Sequence, residues 1–234
     1  MRHRSVIGAV LVLASSATVH ADSLVAEATL ASDYLFDGVS QTQNGPALQA
    51  SLAFEDDSGL YVSAWASNID FGEATPADAE LDLQLGVRRE FAGGWEGTTG
   101  VARYVFVGGA RELDFAEWFV GGRAPTGTAL QIWWADDDAL GGEAVRGKAT
   151  QSVALAEALS LEFELSRSVF PEGGPDDFTH WQVGVARSFG EVEAYVGWSD
   201  TDLPPGALVA DGGSSLADGR VLVMLSTSID LLAR

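Results

Sequence analysis

The sequence contains no cysteine. Thiol catalysis, disulfide staples and thiolate-bound zinc are therefore excluded. Basic residues are scarce as well: 13 Lys+Arg stand against 34 Asp+Glu, a formal net charge of −21 with a pI of about 4.2. Such a chain repels nucleic acid and offers no polybasic patch to anionic lipid headgroups. Long apolar runs are missing too. Beyond residue 21 the longest charge-free stretch, residues 38–54, is filled with Gln, Ser, Thr, Asn, Gly and one Pro. No transmembrane helix is available there, so any crossing of a membrane must use strands in a closed barrel.

The beginning of the chain is the exception. Arg2, His3 and Arg4 form a basic start, residues 6–14 form a short apolar run, and Val19-His20-Ala21 supplies the small or medium residues of a cleavage site. This pattern predicts a secretory signal peptide over residues 1–21 and a mature chain over 22–234. His3 and His20 leave with the leader, so His180 is the only histidine of the mature chain.

Almost everywhere else the pattern is alternation with period two. Leu81, Leu83, Leu85 and Val87 fall on one face, with Glu80, Asp82, Gln84, Gly86 and Arg88 on the other. Leu159, Leu161, Phe163 and Leu165 alternate with Ser160, Glu162, Glu164 and Ser166, and Trp181, Val183 and Val185 with His180, Gln182 and Gly184. Twelve such segments are expected, at about 24–36, 46–55, 59–69, 79–91, 95–107, 113–124, 127–135, 148–157, 159–169, 177–189, 191–199 and 219–231. Each is roughly the length a tilted strand needs to cross the hydrocarbon layer. Tight turns, such as Ala92-Gly93-Gly94 and Phe189-Gly190-Glu191, alternate with longer polar connections over 72–78, 136–147, 170–176 and 201–218. Short turns on one side and long loops on the other are the habit of outer-membrane barrels, and seven Trp suit an aromatic girdle. The expected fold is all-β: one transmembrane antiparallel up-and-down barrel of about twelve strands. A soluble ligand-binding barrel shares the period and stays open as an alternative.

On this pattern the polar faces line the interior. The expected pore-lining residues are Glu80, Asp82, Gln84, Arg88, Arg103, Glu117, Arg123, Glu162, Glu164, His180 and Glu193. Acids outnumber bases among them, which predicts a preference for cations in a narrow passage.

Near the mature N-terminus the chain reads Ser32-Asp33-Tyr34-Leu35-Phe36-Asp37-Gly38-Val39-Ser40-Gln41-Thr42, and later Trp65-Ala66-Ser67-Asn68-Ile69-Asp70-Phe71. These blocks resemble the TorF family of porins, exported proteins of proteobacteria. The chain departs from that family at Asp37, where the family has Arg, and it ends on Arg234 rather than on an aromatic. The resemblance implies an outer-membrane location in a Gram-negative cell. It also implies transport of small solutes, with membrane lipid and the barrel-assembly machinery as partners. Both blocks are expected at extracellular strand ends, where they either gate the mouth or bond freed backbone groups.

Little else carries chemistry. A Ser-His hydrolase would need His180 with Ser166 or Ser168, and no Gly-x-Ser-x-Gly elbow accompanies them. Asp136, Asp137, Asp138 and Glu143 lack the ligand spacing of a calcium loop. No catalytic residue, metal or cofactor is therefore expected. The sequence points to passive diffusion of small solutes, with an occluded structural barrel as the main alternative and a barrel-embedded lipid hydrolase behind it.

Overall fold

The computed structural model describes residues 22–233 apart from 74, 110–112, 138–139, 141 and 173–174. The expected signal peptide and Asp138 lie outside the described residues. The strands are β1 (Ser23–Ala31), β2 (Leu35–Phe36), β3 (Val39–Ser40), β4 (Ala47–Glu55), β5 (Leu60–Asn68), β6 (Ala79–Phe91), β7 (Trp95–Val107), β8 (Phe115–Arg123), β9 (Thr128–Asp137), β10 (Gly142–Ala156), β11 (Leu159–Val169), β12 (Phe178–Phe189), β13 (Val192–Thr201) and β14 (Arg220–Asp230). β1 pairs with β4 on one side and β14 on the other, and β4 to β14 follow as antiparallel neighbours, closing one twelve-stranded barrel. No helix among the described residues is long and apolar enough to cross a membrane.

The alternation sets the facing. On β6 Leu83 and Leu85 are 43% and 52% exposed, whereas Glu80 and Gln84 between and beside them are each 3% exposed. The same inversion runs round the barrel: Leu48, Trp118, Val120, Leu130, Ile132 and Val196 are exposed outside, and Ser63, Glu117, Ser166, His180 and Ser199 are buried inside. An apolar exterior on this scale needs an apolar surrounding. Each such side chain forgoes about 1.5–3 kcal/mol if it is left in water.

The short connections lie at the end where β1 begins and β14 finishes, since Ser23 pairs with Glu55 and Val25 with Asp230. The β4–β5 turn shows how one is held. Asp56 accepts from the Ser58 hydroxyl at 2.6 Å, the Ser58 N–H at 2.8 Å and the Leu60 N–H at 3.1 Å. The Ser58 hydroxyl, with those two backbone donors, holds the Asp56 carboxyl below its ordinary pKa.

Two segments differ from the sequence expectation. The strand expected over 24–36 stops at Ala31, and the chain then folds inward. β2 and β3 form a two-residue hairpin, with Leu35 opposite Ser40 and Phe36 opposite Val39. Its tip, Asp37-Gly38, has positive φ at both positions (46° and 85°), which is the type I′ turn that Asp-Gly favours. The strand expected from 148 starts instead at Gly142 and continues the sheet from Asp137, leaving a short connection where a long loop was expected. Its first residues place Ala144, Arg146 and Lys148 inside, so apolar alternation is missing there and charge pairing across the interior takes its place.

Candidate functional site

The interior is organised around the inward hairpin, which enters from the long-loop end. Asp33 at its base accepts from Ser40 Oγ (2.7 Å), Thr42 Oγ1 (2.9 Å) and Arg220 Nη1 (2.7 Å). Tyr34 packs edge-on against Trp65, with ring centroids 5.2 Å apart. Asp70 donates its N–H to Gln41 O at 2.8 Å, tying the hairpin's return to the end of β5.

The tip crosses to the opposite wall. Asp37, with no exposed side chain, lies 3.1 Å from Lys148 Nζ and 3.6 Å from Arg146 Nε. Lys148 also contacts Glu164 at 2.6 Å, and Arg146 Nη2 contacts Glu117 at 2.8 Å. Tyr104 donates its hydroxyl to the same Glu117 oxygen at 2.8 Å. The guanidinium is sandwiched between aromatic faces, 4.1 Å from the Trp133 centroid and 4.6 Å from that of Phe36. Arginine suits this position because its planar group stacks on rings while its edge serves carboxylates.

His180 is held on both nitrogens, with Nδ1 3.3 Å from Ser166 Oγ and Nε2 2.9 Å from Ser199 Oγ. Ser168 donates instead to Asp37, at 3.4 Å. Gly38 packs on the imidazole, where a Cβ would lie 2.5 Å from His180 Cδ2 and 2.7 Å from Thr201 Cγ2. One side of the imidazole still lines a small cavity with Lys148, Glu164 and Gln182. Asp37, Glu164 and His180 each bring one ligand atom within 4.8 Å of the others, but the Lys148 ammonium already contacts both carboxylates.

Of the expected interior residues, Glu80, Asp82, Gln84, Glu117 and His180 are buried inside. Arg88 reaches Glu55 at 2.6 Å, and Arg123 lies 4.0 Å from Glu96. Glu162 accepts from Ser152 at 2.8 Å, Glu164 meets Lys148, and Glu193 shares the inner face with Tyr195. Arg103 is the correction. It lies on the outer face between Val101 and Val105 and reaches Asp114 at 3.6 Å, because Ala102, Tyr104 and Phe106 take the inner positions of β7.

Of the expected motif residues, Asp33, Tyr34, Phe36, Gly38, Ser40 and Gln41 belong to the inward hairpin and its base rather than to an exposed mouth, whereas Ser32 stays exposed after β1, its Oγ accepting the Val223 N–H at 3.0 Å. Ser67, Asn68 and Asp70 do end a strand: Asn68 accepts the Leu48 N–H at 2.7 Å, and Asp70 the Gly72 N–H at 2.9 Å. Trp65 faces the hairpin. In the acidic stretch Asp136 and Asp137 are strand residues pairing with Glu143 and Gly142, and Glu143 accepts from Trp134 Nε1 at 3.0 Å. The residues that sequence reasoning missed are Asp37, Arg146 and Lys148. The Asp-Gly pair at 37–38 was the available signal for the hairpin that joins them.

A family model described as a bacterial protein of unknown function (Gcw_chp) matches residues 15–229. It does not carry the TorF name, which stays a likeness of motifs. No curated protein matches the chain. Among solved structures, a KdgM porin superposes with a TM-score of 0.57 at 7% identity, over 88% of this chain and 99% of that one. A KdgM porin in complex with disordered oligogalacturonate superposes with a TM-score of 0.56 at 9% identity, over the same shares of the two chains. At such identities the likeness establishes a shared barrel fold.

Proposed function

Because the chain belongs to the Gcw_chp family of bacterial proteins, whose description assigns no activity, we propose a function from the barrel itself: an outer-membrane, porin-like protein that gives small solutes, cations before anions, a passive route narrowed by the hairpin. The apolar exterior, the closed sheet and the uniformly short turns at the end where both termini lie support the location. The likeness to KdgM porins supports the class of protein. Outer-membrane lipid surrounds the barrel in this reading, and the assembly machinery inserts it after a signal peptide has directed export.

The observation that carries the cation preference is the state of the interior charges. Among the described residues each interior cation already has a carboxylate: Arg88 has Glu55, Arg123 has Glu96, Arg146 has Glu117 and Asp37, Lys148 has Glu164 and Asp37, and Arg220 has Asp33. Among the described residues no ion pair reaches Glu80, Asp82 or Glu162. Such surplus carboxylates in a narrow, low-dielectric passage favour cations. The test is the reversal potential of the refolded mature chain across a KCl gradient in a planar bilayer. Cation selectivity is expected, and an anion-selective value would refute the charge argument.

One observation favours a second reading. Asp37, His180 and Trp133 are each at most 2% exposed, so the hairpin fills the interior at their level. A barrel occluded there serves as a structural surface protein. Absence of conductance in the same experiment is its signature.

A further inference from the structure

The inner face of the short-turn half has a floor of small side chains. Glu27 on β1 pairs with Ser51 on β4, and Ser51 with Trp65 on β5, so the three stand in one row across neighbouring strands. All three point inward, because Thr29, Gln49 and Ser63, two residues away on the same strands, are buried inside. Two strand spacings put the Glu27 and Trp65 backbones about 10 Å apart. Only the hydroxymethyl group of Ser51 stands between them, so a gap stays open above it. The next row toward the short turns is Val25, Ala53 and Ser63, again small. The result is a cavity lined by Glu27, Ser51, Ala53, Trp65 and Met224, which reaches Ser23 and Glu55 where β1 begins and β4 finishes.

This cavity holds a carboxylate without a cation. Arg88, the basic residue in its lining, contacts Glu55 at 2.6 Å and lies over the Tyr61 ring, 5.3 Å from the centroid. Among the described residues no ion pair reaches Glu27, whose side-chain contact is the Thr29 hydroxyl at 3.4 Å, itself 2.9 Å from Ser226 Oγ. An ionised carboxylate beside Val25, Ala53 and Met224 carries a desolvation cost that a cation offsets. The surroundings decide which cation. One carboxylate and an indole make a poor cage for a metal ion, which gathers several oxygens at short range. An anion is repelled, and a neutral polyol leaves the charge of Glu27 unbalanced. An alkylated ammonium satisfies the carboxylate, the aromatic wall and the apolar lining together, because its charge is spread beneath apolar substituents that pack on a ring face.

We propose that Glu27 and Trp65, on either side of Ser51, form a binding site for small alkylammonium solutes in the short-turn half of the barrel. Glu27 balances the charge, Trp65 receives the alkyl groups around the nitrogen, and Val25, Ala53 and Met224 receive the rest of an apolar body. The proposal deepens the cation-preferring reading by naming a class of solute, and it rests on that reading only in that such a solute must reach the interior.

The test is calorimetric titration of choline into the refolded mature barrel, in a maltoside detergent whose headgroup does not compete. The neutral carbon isostere of choline, with a tert-butyl group in place of trimethylammonium, is titrated alongside. Saturable choline binding is expected, with the isostere weaker by about tenfold or more, since it keeps the shape and loses the attraction between charges. Glu27→Gln, which keeps the size of the side chain, should weaken choline by about tenfold for the same reason. Trp65→Leu should weaken it by about threefold. Ser51→Leu fills the gap and should abolish binding, and it serves where Trp65→Leu disturbs the hairpin. Heat-modifiable migration reports the folded barrel. Glu162→Gln, in a cavity against the opposite wall, should leave binding unchanged. Equal affinity for choline and its isostere would overturn the site. So would a folded Glu27→Gln or Ser51→Leu barrel that binds as the parent does, or loss of binding on Glu162→Gln. Conductance of the same preparations separates the two readings. Conduction without choline binding removes the site and leaves the pore; choline binding without conduction supports the site and removes the pore.

Discussion

The carboxylate of Asp37, at the tip of a hairpin that starts beside β1, lies 3.1 Å from the ammonium of Lys148 on the opposite wall. This contact fixes how far the hairpin reaches. Removing one partner of a buried ion pair costs about 3–5 kcal/mol where the other charge is left uncompensated, and less where it keeps a second partner. Arg146 and Lys148 keep Glu117 and Glu164 when Asp37 is removed, so the barrel wall has its own charge balance and the hairpin does not. Asp37→Ala should therefore loosen the hairpin before the barrel. Chymotrypsin should cut after Tyr34 or Phe36 in the variant and spare the parent, while heat-modifiable migration persists. Equal protection of the two proteins would show that the Asp33 contacts alone hold the hairpin in place.

Gly38 tests the same hairpin from the steric side. Its φ of +85° costs a residue with a side chain about 1–2 kcal/mol. The added Cβ also meets His180 Cδ2 at 2.5 Å, and overpacking of this kind costs about 1–3 kcal/mol. Gly38→Ala should lower the thermal midpoint of the barrel in detergent. Combining it with His180→Ala should recover the imidazole's share of the packing loss, with Thr201 Cγ2 still 2.7 Å from the added Cβ, leaving a less-than-additive pair. Strict additivity of the two losses would mean that the imidazole contact carries no weight.

How much of this was legible in the sequence follows from which partners each residue has. β6 and β7 run over the expected 79–91 and 95–107 because one face meets an apolar surrounding and the other a polar interior along their full length. Arg103 was misplaced for the opposite reason. Tyr104 and Phe106 fill the interior beside Phe115, with stacked rings 4.4 Å apart for Tyr104 and Phe115, so on β7 the aromatics turn inward and the arginine outward. The start of β10 was hidden because Arg146 and Lys148 face acids on three other elements, the hairpin, β8 and β11. The hairpin had a local signal, Asp-Gly, but its inward course depends on the wall it reaches.

The signal peptide makes a separate prediction. The small residue at Ala21 ends the expected cleavage site, so the mature protein should begin at Asp22. N-terminal sequencing of protein recovered from the outer membrane checks it. A chain still beginning at Met1 would remove the export argument.

Leu83 and Gln84 are adjacent on β6 and point to opposite sides of the barrel wall, 43% and 3% exposed. In lipid the exposed face is the apolar one, so the two positions answer arginine in different ways. At the membrane midplane an arginine on the lipid face costs about 2–4 kcal/mol, with less near the interfaces. At Gln84 the same guanidinium enters beside Asp82, whose Oδ1 has no hydrogen-bond partner, and gains a carboxylate to offset its desolvation. Leu83→Arg should therefore destabilise the barrel clearly more than Gln84→Arg in unfolding from liposomes. In a lipid-free aqueous setting the order should reverse, because an exterior arginine is then solvated and the interior one is crowded. Equal losses in liposomes would mean that the outer face of β6 does not meet lipid.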